Sequence, residues 1–148
     1  MTKKEKAIEL FLEGYNCAQS VFGAFADEVG MDLEAAVKFS SAFGGGMGRL
    51  REVCGAVSGM FMVLSAIDGY TSPTDDNAKM ELYKRVQTLA EEFKAKNNTI
   101  ICRELLENVE KTEGATPEAR TSAYYDHRPC AKFVGDAAEI MENYLKSK

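Results

Sequence analysis

The chain of 148 residues, 45% hydrophobic and 28% charged, has the size and composition of an ordinary globular domain that needs no staples to fold. Its formal net charge of -5 removes the electrostatic basis for binding nucleic acid, which rests on Lys and Arg neutralising phosphates. No apolar signal stretch follows the N-terminal lysines, and the most apolar run, Cys54 to Ile67, is shorter than the ~20 residues of a membrane crossing, so a cytoplasmic protein without a membrane span is expected.

Helical periodicity dominates from the start. Ile8, Phe11, Leu12 and Tyr15 share one helix face, and Gly14 is placed to cap that helix at its C-terminal end. A second helix is expected over about Asn16 to Asp27, and Gly30 separates it from a third, which Asp32 caps and which runs to about Ser41. The run Gly44-Gly45-Gly46-Met47-Gly48 breaks the chain. An apolar helix follows from about Glu52 to Ile67 and stops at Asp68-Gly69.

Ser72-Pro73 reads as the next start, with Ser as N-cap and Pro at the first helical position. Met80, Tyr83, Val86, Leu89, Ala90 and Phe93 then form a long stripe that Asn97-Asn98 ends. Thr99 is placed to cap a short helix through Leu106, and Thr116-Pro117 to lead into a brief helix near Ala123. From Pro129 to Lys146, Cys130, Phe133, Val134, Ala137, Ile140, Met141, Tyr144 and Leu145 follow the helical repeat. No run alternates as a half-buried strand does. The expected fold is all-α, a compact single-domain bundle of about six to eight helices covering residues 1–148.

Cys17, Cys54, Cys102 and Cys130 each fall at or near an expected helix start. Such a position carries partial positive charge and unpaired N–H donors, worth roughly 0.3–1 kcal/mol to an anion and up to ~2 when partly buried. Thiolates are favoured there, and the thiolate is the form that attacks disulfides and ligates metals. There is no Cys-x-x-Cys pair, so any common centre has to be assembled by tertiary packing. The competing reading is that each thiol is a small buried hydrophobe.

Around Cys54, Arg49 and Arg51 can add positive charge. Gly55 and Gly59 lie on one helical face, where each costs about 1 kcal/mol against Ala, so a bound group or another backbone is expected to come close there. Arg49, Arg51, Gly55 and Gly59 are therefore the candidate cofactor contacts, with simple helix packing as the alternative. A phosphate cradle is discounted because Arg49-Leu50 stand where a Walker motif has Lys-Ser or Lys-Thr. His127 is the only histidine, a base or substitute ligand by type and a capping or surface residue by its setting between Asp126 and Arg128. Tyr124, Tyr125, Met47, Met60 and Met62 read as core filler.

The element Cys54-Gly55-Ala56-Val57-Ser58-Gly59 resembles the one that names the C_GCAxxG_C_C family. The likeness extends to Gly14-Tyr15-Asn16-Cys17-Ala18-Gln19, the glycine run before Cys54, Cys102-Arg103-Glu104-Leu105-Leu106 and Cys130 at the last helix. The resemblance implies a redox-active domain of about this length, encoded near transporter genes, and so a functional link to a transporter.

The resulting expectation is thiol–disulfide chemistry by four cysteines brought together at helix N-termini, the work of a thiol–disulfide oxidoreductase with Cys54 as attacking thiol and another of the four resolving. One alternative is a four-cysteine site for zinc or an iron–sulfur cluster through Cys17, Cys54, Cys102 and Cys130. The other is a structural or partner-binding helical domain, in the simplest case a homodimer.

Overall fold

In the computed structural model, which describes residues 1–148, the chain folds into eight α-helices with no strand, as its periodicity implies. They are α1 (Lys3–Leu12), α2 (Cys17–Ala24), α3 (Leu33–Ser40), α4 (Gly55–Asp68), α5 (Asp76–Asn97), α6 (Cys102–Leu105), α7 (Ser122–His127) and α8 (Cys130–Lys146). Gly44–Met47 coils between α3 and α4 with φ of +68° and +74° at Gly45 and Gly46, so it is a turn of left-handed residues and not a helix. The left-handed backbone recurs through Met47, Gly48, Arg49 and Arg51.

Short polar side chains fix most of the starts, because they satisfy N–H groups that have no partner in the first helical turn. Thr2 accepts from Glu5 N–H and Asp32 from Ala35 N–H. At α2, Asn16 accepts from Gln19 N–H while the Gln19 side chain accepts from Asn16 N–H, a reciprocal box. Three boundaries depart from the expected ones. Asp75 rather than Ser72 caps α5, leaving Pro73 in the preceding turn. Thr121 rather than Thr116 caps α7. Thr99 accepts from Ile101 N–H in the turn ahead of α6, so that helix begins at Cys102.

A core of 27 buried residues holds the helices together, with Phe11, Phe22, Phe25, Met60, Leu64 and Phe93 among those fully enclosed. Each such side chain contributes roughly 1.5–3 kcal/mol on burial. Met60 is core as expected, whereas Met47 is exposed. The most extensive contacts are α8 along α1 and α4 along α2, and α8 also reaches α2, α4 and α5. The α2–α4 seam depends on missing side chains: a Cβ at Gly59 would stand 2.9 Å from Ala18 O, and one at Gly55 would stand 3.1 Å from Ala18 N. The face shared by the two glycines is therefore filled by the backbone of α2. No helix is long and apolar enough to cross a membrane.

Candidate functional site

Cys17, Cys102 and Cys130 are the first residues of α2, α6 and α8, and Cys54 is the N-cap of α4. Two of these starts are tied by a single antiparallel bridge between Val53 and Ile101. Across it Cys54 N–H donates to Ile100 O at 2.8 Å and Cys102 N–H to Glu52 O at 2.6 Å. This pairing is one residue deep on each side, so no alternating pattern announces it. Gly46 lets the preceding loop close over Cys102: its φ is +74°, and a Cβ there would lie 2.7 Å from Cys102 Cβ and 2.8 Å from Arg51 Cα.

All four cysteines line one cavity of about 290 Å³, and all four are free. They surround it without converging on a point. No group of three or more His, Cys, Asp or Glu side chains is placed to hold a metal ion. A zinc site needs four sulfurs within ~2.3 Å of one centre. The expected four-sulfur zinc or iron–sulfur site is thus not formed: each thiol rides a different helix start, and the donors do not fit such a group. Cys17 and Cys130, at the starts of α2 and α8, are the two whose ionisation is most strongly linked.

The electrostatics divide the four. Cys130 is drawn down to about 7, first by the neighbouring Cys17 thiol and then, against the cost of its burial, by the positive charge of Arg128 and Arg120. Cys17 is held well above the ordinary thiol range by the neighbouring Cys130 and by burial. Burial pushes Cys54 up to about 12, although the N–H groups of Ala56 and Val57 pull the other way. Cys102 is raised by burial too, and only partly relieved by Arg51, whose guanidinium stands 3.9 Å from its Sγ. Around Cys54, the thiol expected to be activated, desolvation outweighs the helix dipole.

The arginines are redistributed as well. Arg51 stands against Cys102, not Cys54, and is 3% exposed. Arg49 donates to the carbonyls of Thr112, Gly114 and Thr116 and so fastens the loop that follows α6. Gly55 lines the cavity, while Gly59 faces α2. His127 is exposed at the end of α7 and takes no part in the cavity wall.

Sequence reasoning missed Arg120, Arg128, Glu118 and Tyr124. Arg128 is 8% exposed, pairs with Glu118 and lies over the Tyr124 ring, 4.9 Å from its centroid. Arg120 lies 4.5 Å from the Phe11 centroid and 5.0 Å from that of Tyr124, and donates to Phe11 O at 3.1 Å and Tyr15 O at 3.0 Å. Arg128 carried a local signal, two positions before Cys130 and closer in sequence than Arg51, which stands three before Cys54. Arg120 and Glu118 carried none, since only the fold brings them in.

The family model described as "Putative redox-active protein (C_GCAxxG_C_C)" matches residues 15–144, a span that includes every cysteine. The chain belongs to this family. In this C_GCAxxG_C_C protein the two glycines of the naming element press α4 onto α2, and that seam brings Cys54 and Cys17 to the same cavity. No curated protein matches the chain, and no solved structure does.

Proposed function

We propose that the protein is a thiol–disulfide oxidoreductase whose working pair is Cys130, the attacking thiolate, and Cys17, the resolving thiol. What supports this is that Cys17 and Cys130 line the same cavity, at the starts of α2 and α8, where Cys17, Arg128 and Arg120 all favour the Cys130 thiolate. A reactive thiol needs a substantial thiolate fraction near neutral pH and a partner within reach, and this corner supplies both.

The step balances as follows. The Cys130 thiolate attacks one sulfur of a substrate disulfide, forming a mixed disulfide and releasing the other substrate sulfur as a thiolate. Cys17 then loses its proton to solvent and attacks the Cys130 sulfur, closing a Cys17–Cys130 disulfide and releasing the second substrate thiolate. Two electrons pass from the protein dithiol to the substrate. Cys54 and Cys102 stay protonated and form another part of the wall. A resting dithiol requires a reducing compartment, and on this reading the protein works in the cytoplasm.

The test uses hydroxyethyl disulfide, a neutral reagent, on the reduced protein, followed by peptide mapping of the bonds formed. The expected product is a Cys17–Cys130 disulfide, and Cys17→Ser should accumulate the mixed disulfide on Cys130. Bonding at other cysteines only, or no bonding at all, would overturn the assignment.

A further inference from the structure

The charged side chains around the cysteine cavity do not balance. Arg49, Arg51, Arg120 and Arg128 line it, against one carboxylate, Glu118. Even with Cys130 ionised, two positive charges remain without a counter-charge in the wall. All four donate to backbone carbonyls, and Arg49, Arg51 and Arg128 share Glu118, but only Arg51 and Arg128 keep a buried guanidinium N–H without an acceptor. These two are 3% and 8% exposed, and the Nε–H of each is buried with no acceptor. Buried donors are nearly always paired, and guanidinium N–H groups match the oxygens of an oxyanion in both charge and geometry.

From this we infer that the cavity binds a small oxyanion, held by Arg51 and Arg128 next to Cys102 and Cys130, and that the substrate of the dithiol is a small molecule bearing such a group. The volume of about 290 Å³ lies just below the ~300–1,000 Å³ of pockets for drug-sized ligands, which suits a small anion and leaves no room for a dinucleotide or a flavin. The inference rests on the dithiol assignment for what the anion is doing there, but the binding itself does not. An inorganic oxyanion and a carboxylate of an organic molecule present the same acceptor chemistry, and the two probes below separate them.

The reduced protein is titrated calorimetrically with sodium sulfate and with sodium malonate at constant ionic strength. Saturable binding of at least one is expected. Arg51→Gln and Arg128→Gln should each weaken it at least ~tenfold, as loss of a charge-assisted donor pair implies. Arg103→Gln, whose side chain holds Leu50 O outside the cavity, should leave it unchanged. A second measurement needs no variant: the bound anion should slow modification of Cys130 by N-ethylmaleimide. No saturable binding of either salt together with unslowed modification would overturn the inference, as would equal affinity in folded Arg51→Gln and Arg128→Gln proteins. Titration of the Cys17→Ser/Cys130→Ser double variant separates the two proposals. Binding that persists there supports an anion site even if the dithiol chemistry fails, whereas wild-type Cys17–Cys130 bonding without anion binding removes this inference and leaves the dithiol.

Discussion

The starts of α4 and α8 make a natural pair, since each places a buried cysteine where a helix exposes unpaired N–H groups to it. Their thiols nevertheless move in opposite directions, Cys54 up to about 12 and Cys130 down to about 7. The helix dipole is worth at most ~2 kcal/mol to an anion, and at α4 burial exceeds it. At α8 burial is offset by the Cys17 thiol from elsewhere in the chain, by the Arg128 guanidinium two residues before Cys130 and, more distantly, by Arg120. A helix start therefore predisposes a cysteine to ionise, and its neighbours decide whether it does.

The strongest way to break this contrast is to compare the two thiols directly. At pH 7 Cys130 is close to half ionised while Cys54 is almost wholly protonated, so iodoacetamide should modify Cys130 at least ~100-fold faster, allowing for the lower intrinsic nucleophilicity of the more acidic thiol. Site-resolved mass spectrometry of timed samples gives both rates. Equal rates, or Cys54 reacting first, would mean that helix position alone governs reactivity.

A smaller effect tests why the α4 start is sealed. In Gly59→Ala the new Cβ must displace Ala18 O, 2.9 Å away on a rigid helix, so α2 and α4 have to separate. Overpacking of this kind costs typically ~1–3 kcal/mol, to be read from urea unfolding. An unchanged stability would show that the seam is loose and that the glycines are there for something other than close packing.

The contrast also marks what could be read before folding. The bundle was legible because amphipathic periodicity is local, and Asp32 was found as a cap and Asn16 as a helix start because each directly precedes an apolar helical run. Ser72 and Thr116 misled because their loops contain a second capping residue, Asp75 and Thr121, and the choice depends on where packing lets the helix begin. The position of every cysteine at a helix start was likewise local information. Which one ionises was not, since it rests on Arg120 and Cys17, which stand far from Cys130 in the chain, and on apolar enclosure of Cys54. The same holds for the failure of the four sulfurs to converge. Helix starts can be counted in a sequence, but the distances between them cannot.

The finest test removes one neighbour and leaves the helix alone. In Arg128→Gln the Cys130 thiolate loses a neighbouring positive charge, and the midpoint of its alkylation profile should rise by about one pH unit, a roughly tenfold lower rate at pH 6. The same change should appear in stability, with a sign that can be worked out. Cys130 is more acidic in the folded chain than the ~8.5 of an unperturbed thiol, so the unfolded state binds more protons between about 7 and ~8.5. Its contribution to stability is fully present above ~8.5 and disappears as pH falls through about 7. Arg128→Gln should narrow that window from its acid side, while the alkaline loss of stability caused by Cys54, whose folded value lies above the unfolded one, should be unaltered. Urea midpoints measured from pH 6 to pH 10 separate the two limbs. If the acid limb stays where it is, Arg128 is not what distinguishes α8 from α4, and Cys17 and Arg120 must account for the difference.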